Sequence, residues 1–145
     1  MTGCGTSGKS NSQPTAATPA TQRVASKLVA RYERKVTRAD LGRTAARRHE
    51  GAGQSAPPAG LYRLVIDSGT LSVTDPGGVA VRESLIASDG GDFKPGPYVS
   101  ADVFCRNSGP GTYRWSLAGS NLALRVTRDR CADRDSILTG VWKKK

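Results

Sequence analysis

Three sets of residues have types and spacing that could do chemistry. The only histidine, His49, beside a thiolate from Cys105 or Cys131 would make a nucleophile and base pair. His49 falls at the end of a basic, exposed helix, and the two cysteines are expected to pair with each other, so no such dyad is expected. Asp129, Asp133 and Asp135 form an acidic knot that could attract Ca²⁺. The EF-hand spacing, with its central Gly and final Glu, is missing, and Arg128, Arg130 and Arg134 interleave with the acids, which reads as local ion pairing. Gly3-Cys-Gly-Thr-Ser-Gly-Lys-Ser10 has the letters of a phosphate loop. Such a loop must join a strand to a helix, and this one lies in a polar tail. Paired cysteines at metal-ligand spacing are absent as well. The expectation is no catalytic residue, no metal site, no cofactor and no enzymatic activity.

The elements that would position any site come from composition and period. The 145 residues have room for one ordinary domain with tails. Gly (17) and Pro (8) are frequent and aromatics few (6%), which suits short strands joined by tight turns. No run approaches the roughly 18 apolar residues of a membrane span. The net charge of +10 is concentrated early: residues 1–59 hold ten Lys and Arg against three acids, and residues 60–145 hold twelve against nine. Clustered basic charge favours polyanions such as anionic lipid headgroups or acidic polymers. No helix-turn-helix, zinc or base-stacking pattern accompanies it, so nucleic acid is not expected as a partner.

Of the three cysteines, Cys4 stands apart. It follows Thr2-Gly3 and precedes a polar stretch to Ala20 whose composition cannot bury a core. This resembles the end of a bacterial lipoprotein signal, in which a small-residue pair precedes the cysteine that takes the lipid. Met1 stands where such signals usually carry Leu, so the sequence is expected to begin inside a longer signal. On that resemblance residues 1–21 are a disordered tether. A flexible tail of this length spans on the order of 20 Å, and neighbouring basic residues add hold on anionic lipids.

Residues 22–145 are expected to form the folded domain. Val24, Leu28 and Val29 are spaced for a short helix face. Tyr32 to Val36 alternates as a first strand, with Tyr32, Arg34 and Val36 on one face. Thr37-Arg-Ala-Asp40 is a capping box, which predicts a helix over about 38–48 with Leu41 and Ala45 on one side. From Gly60 the period becomes two. Tyr62, Leu64 and Ile66 share a face, Asp67-Ser-Gly69 turns, and Leu71 and Val73 return. Asp75-Pro-Gly-Gly78 reads as a type II turn. A strand near Val79 to Leu85 is expected, then a Gly- and Pro-rich loop from Ser88 to Pro97, then a strand from Tyr98 to Phe104. In the last hairpin Tyr113, Trp115 and Leu117 face the same way as Leu122, Leu124 and Val126. An irregular or single-turn helical piece, Asp129 to Ser136, precedes a closing strand from Ile137 to Trp142.

Eight strands, one early and a seven-strand meander over 60–143, favour an antiparallel up-and-down barrel, because closure removes exposed edges. In such a meander Cys105 and Cys131 fall on the same rim two strands apart. That is roughly 10 Å at about 4.8 Å per strand, so both must lean over the rim to reach the usual bridge separation of about 4.4–6.8 Å. A Cys105–Cys131 disulfide is expected on that geometry and on export.

Gly111-Thr-Tyr-Arg-Trp-Ser-Leu-Ala-Gly-Ser-Asn-Leu-Ala-Leu124, followed by Cys131-Ala-Asp-Arg-Asp-Ser-Ile-Leu-Thr-Gly-Val-Trp142, resembles the C-terminal signature of exported bacterial proteins of lipocalin-like (calycin) type. Tyr32 to Leu41 is similar to their first strand and following helix. The resemblance covers roughly residues 30–143 and implies an all-β, eight-stranded calycin barrel with a short helix between its first two strands. It implies little about activity, since calycins include carriers, inhibitors and a few isomerases and cyclases, and no acid/base pair here supports the last two. The expectation is a membrane-anchored, extracytoplasmic or secreted monomer. Its inner face, Tyr62, Leu64, Ile66, Val99, Tyr113, Trp115, Leu117, Leu122 and Leu124, would line a pocket for a small hydrophobic or amphipathic ligand, with tyrosine hydroxyls fixing a polar end. The alternative is a non-catalytic envelope interaction module with a filled core and a basic surface for membrane or polymer.

Overall fold

A computed structural model describes residues 24–47, 57–98 and 109–145. Eight antiparallel strands close in sequence order into a barrel. They are β1 (Ala30–Val36), β2 (Gly60–Ile66), β3 (Thr70–Thr74), β4 (Ala80–Ala87), β5 (Asp92–Tyr98), β6 (Thr112–Ala118), β7 (Asn121–Arg128) and β8 (Gly140–Lys144). Two short helices, α1 (Arg38–Arg43) between β1 and β2 and α2 (Ala132–Leu138) between β7 and β8, sit at the same end of the barrel. The up-and-down barrel read from the strand periods is the observed fold, and its seam closes where β1 pairs with β8 at Tyr32 and Lys144.

Alternation sets the inside. Tyr32, Arg34 and Val36 of β1 are buried between exposed Arg31 and Lys35. Tyr62, Leu64 and Ile66 of β2, Leu71 and Val73 of β3, Trp115 of β6 and Leu122 and Leu124 of β7 complete the pattern. Burying such side chains contributes about 1.5–3 kcal/mol each before entropy is set against it. The capping box at Thr37 is present in full: its side chain accepts from the Asp40 amide while the Asp40 carboxylate accepts from the Thr37 amide.

Several sequence expectations fail in instructive ways. The helix after Thr37 stops at Arg43 and tightens into a 3₁₀ turn over Ala45–Arg47. The change of pitch exposes Ala45 and buries Thr44 in its place, while Leu41 packs on the core as expected. The expected loop from Ser88 to Pro97 is largely strand β5. It tolerates Pro95 and Gly96 because its ladder to β6 covers only Asp92 and Phe93, and its register against β4 shifts between Glu83 and Leu85. The expected strand Tyr98 to Phe104 lies outside the described residues beyond Tyr98. The positive φ of the Asp75 turn falls on Gly78, one position later than a type II turn requires, and the Asp75 carboxylate accepts from the Gly77 and Val79 amides. Ile137 and Leu138 belong to α2, so β8 begins at Gly140.

Both ends of the barrel are covered. At one, the 3₁₀ turn Ser26–Leu28 lies across the opening. Leu28 is fully buried, Val24 bridges Ala87 in parallel, and the Ala25 amide donates to the Ala87 carbonyl at 2.7 Å. Lys27 lies over the Trp115 ring. Val29, expected on the same face as Leu28, is exposed because the turn ends there. At the other end α1 packs against α2.

Candidate functional site

Those of the predicted pocket residues that are described converge in one buried cluster. Tyr62, Leu64, Ile66, Tyr113 and Leu122 are 0–1% exposed, and Leu124 and Trp115 are buried. These side chains belong to one contiguous buried cluster and pack against one another. Leu117 is partly buried at the β6–β7 turn and packs on the same cluster. Val99 lies outside the described residues, as do Cys4, His49 and Cys105.

The polar tips of the buried aromatic side chains are committed to the chain itself. Tyr32 Oη donates to the Leu28 carbonyl and Tyr62 Oη to the Pro58 carbonyl. Trp115 Nε1 donates to the Ser88 carbonyl, Trp142 Nε1 to the Leu138 carbonyl, and Tyr113 Oη to the Asp129 carboxylate. Burial raises the pKa of all three tyrosines, and for Tyr113 the neighbouring Asp129 charge adds to that rise. Each hydroxyl therefore stays a neutral donor.

The chemistry-bearing residues gather at the α2 end. Arg134 enters the interior from α2 and grips Asp129 with two parallel bonds, Nε to Oδ2 at 2.8 Å and Nη2 to Oδ1 at 2.7 Å. Its Nη1 donates to Glu83 of β4 at 2.7 Å, and Nη2 also reaches the Gly109 carbonyl. Asp129 accepts in addition from the Cys131 amide. All three charged side chains are at most 3% exposed. Burial by itself would lower the Arg134 pKa, but the bonds and charges of Asp129 and Glu83 outweigh it and hold the guanidinium charged.

Around this network the helices are tied together. Arg34 of β1, buried in the same interior, donates to the Ile137 carbonyl at 2.6 Å and pairs with Asp40 at 3.1 Å. Arg43 of α1 bonds the Asp135 carboxylate at 2.9 Å, as does the Thr139 hydroxyl. Gly140 is required where the chain leaves α2: its φ is +141°, and a Cβ there would strike the Arg34 guanidinium.

The expected ion pairing of the acidic knot is thus correct for Arg134 and wrong for its two neighbours. A bulge between β6 and β7 pairs Tyr113 with Val126 but Thr112 with Arg128, which adds one residue to β7. The extra residue sends Arg128 outward, Asp129 inward and Arg130 outward again. Among the described residues, Arg128 and Arg130 have no hydrogen bond or ion pair. With Pro110 and Thr112 they line a half-open cleft of about 280 Å³. Glu83 was missed in the sequence, although Val81, Glu83 and Leu85 share one phase of β4 and an acid on an inward phase demands a buried partner.

Among the described residues, no group of three or more His, Cys, Asp or Glu could hold a metal ion, and no helix is long and apolar enough to cross a membrane. No protein-family profile, curated protein or solved structure matches this chain.

Proposed function

We propose that this chain is a non-catalytic module of the cell envelope whose filled barrel is a scaffold and whose work is done by its basic outer surface on anionic membrane. The observation that carries the reading is the occupied interior. The side chains expected to line a pocket pack on each other, and the hydroxyls expected to fix a ligand are bonded to chain carbonyls or Asp129. A lumen carrying an apolar ligand, as in many calycins, would need these groups released. The acids and arginines of the interior are likewise engaged in holding α2, which leaves them poor candidates for acid/base work.

The docking surface is the end covered by Ser26–Leu28. Exposed Arg31, Lys143 and Lys144 lie there on the paired strands β1 and β8, and the Lys145 amide bonds the Arg31 carbonyl. The chain preceding Val24 joins the barrel at this same end. Lipid on Cys4 and this basic patch would then act together, each nearby Lys or Arg adding about 1 kcal/mol on an anionic surface. Lipidation of Cys4, an extracytoplasmic location and a calycin-type relationship belong to this proposal on the residue patterns alone. So does a Cys105–Cys131 bridge. In its support, Cys131 is fully buried.

Flotation with vesicles tests the reading. Binding to phosphatidylglycerol vesicles, absent for phosphatidylcholine and weakened by Arg31→Gln with Lys143→Gln and Lys144→Gln, is the expected result. Equal behaviour on both vesicles contradicts it.

A further inference from the structure

We infer that the cleft between Arg128 and Arg130 is a subsite for a phosphate-type oxyanion, at the barrel end opposite the proposed membrane-docking surface. Four observations converge on it. Both guanidinium groups are exposed and without a partner among the described residues, whereas the interior and helix-end arginines, Arg34, Arg43 and Arg134, are all engaged. The nearest acid in sequence, Asp129, cannot neutralise them: its carboxylate is turned inward and holds Arg134, Tyr113 and the Cys131 amide. The bulge at the end of β7 is what places two arginines on one side with a single buried residue between them, and bulges of this kind re-aim side chains at sites. Finally, the two forks open on a concave space and not on a flat surface. Thr112, the register partner of Arg128, adds a hydroxyl donor, and Pro110 forms a rigid wall.

The chemistry of this donor set is specific. The two planar forks supply only donors and the hydroxyl can add another, and the guanidinium geometry matches two oxygens of one phosphate. A space of about 280 Å³ takes a phosphate with a small attached group, and falls short of a large apolar ligand. Because the cleft and the membrane patch lie at opposite ends, a chain docked by the patch would hold the cleft outward. The phosphate then comes from solution and not from the lipid headgroups beneath.

Titration of the full chain with inorganic phosphate and with glycerol 1-phosphate, followed by amide NMR, tests the inference. Expected are saturable shifts confined to Thr112 and its neighbours and to Arg128 and Arg130, with about tenfold weaker binding for Arg128→Gln and again for Arg130→Gln. Both variants remove unpaired exposed groups, so unchanged thermal unfolding is expected and reports that they fold. Phosphatidylglycerol flotation should be unaffected by either variant, whereas the Arg31, Lys143 and Lys144 variant should show weakened flotation and keep phosphate. Non-saturable shifts, or binding equally strong in the double arginine variant, would overturn the subsite. Loss of flotation in that variant without phosphate binding would overturn it too, reassigning the cleft to the membrane. Failure of flotation in the parent chain with phosphate binding intact removes the docking proposal and leaves the cleft standing.

Discussion

The two ends of the barrel are closed by opposite physics. At the N-terminal end a short turn lays Val24, Ala25 and Leu28 over the opening, and apolar contact with one cation over Trp115 holds it. At the other, α2 is held by ions: Arg134 to Asp129 and Glu83 on its inner side, Arg43 to Asp135 and Arg34 to its last carbonyls. Apolar closure is graded, since each lost methylene removes a little stability. Ionic closure is conditional, because a buried charge is tolerated only while its partner is present.

The largest expected effect breaks that condition. Arg134→Met leaves Asp129 and Glu83 buried without their guanidinium and should cost about 3–5 kcal/mol in urea unfolding. If the loss is under about 1 kcal/mol, the ionic account of this end is wrong. Adding Glu83→Leu should recover part of it, which a purely steric role for Arg134 would not allow. At the apolar end Leu28→Ala should cost about 2–5 kcal/mol by removing a fully buried side chain. Smaller again is Gly140→Ala, at about 1–3 kcal/mol, because it combines a positive φ with a clash against Arg34.

The smallest effects sit at the cap of α1, where Thr37→Ala should cost about 1 kcal/mol. The Asp40 carboxyl has its own pH signature. Burial works against ionisation there, but bonds from the Thr37 amide and hydroxyl and the charges of Arg34 and Arg43 outweigh it and hold the pKa below the usual carboxylate value. The stabilisation is therefore fully present above the unfolded pKa of about 3.9 and is lost as pH falls through the lower folded value. The difference in melting temperature between the parent and Asp40→Asn should be constant near neutrality and shrink below about pH 4. A difference that grows on acidification would reverse the sign of this argument.

The same contrast explains what the sequence made legible. Strands with regular alternation, such as Tyr62 to Ile66 and Tyr113 to Val126, show their inner face directly, because period and burial coincide. The Thr37 cap is legible for a similar reason, being a local bond between residues three apart. Strand β5 is hidden because Pro95-Gly-Pro97 looks like punctuation, and only an irregular ladder accommodates it. Helix α2 is legible only as an irregular or single-turn piece, and its burial is hidden because Asp133, Arg134, Asp135 and Ser136 look like a solvated turn, yet all are buried. Their partners, Glu83, Arg43 and Arg34, are distant in sequence, and no local pattern encodes such a pairing. The outward pair Arg128 and Arg130 was equally hidden, since the bulge that sets their direction depends on the register with β6.

The claim that the barrel is a scaffold and not a container is tested most directly by titrating the full chain with N-phenyl-1-naphthylamine while exciting Trp115 and Trp142. The account predicts no saturable energy transfer from these tryptophans, because the side chains around them leave no space for the probe. A saturable one-to-one transfer signal would show that the lumen opens to an apolar ligand and would contradict it.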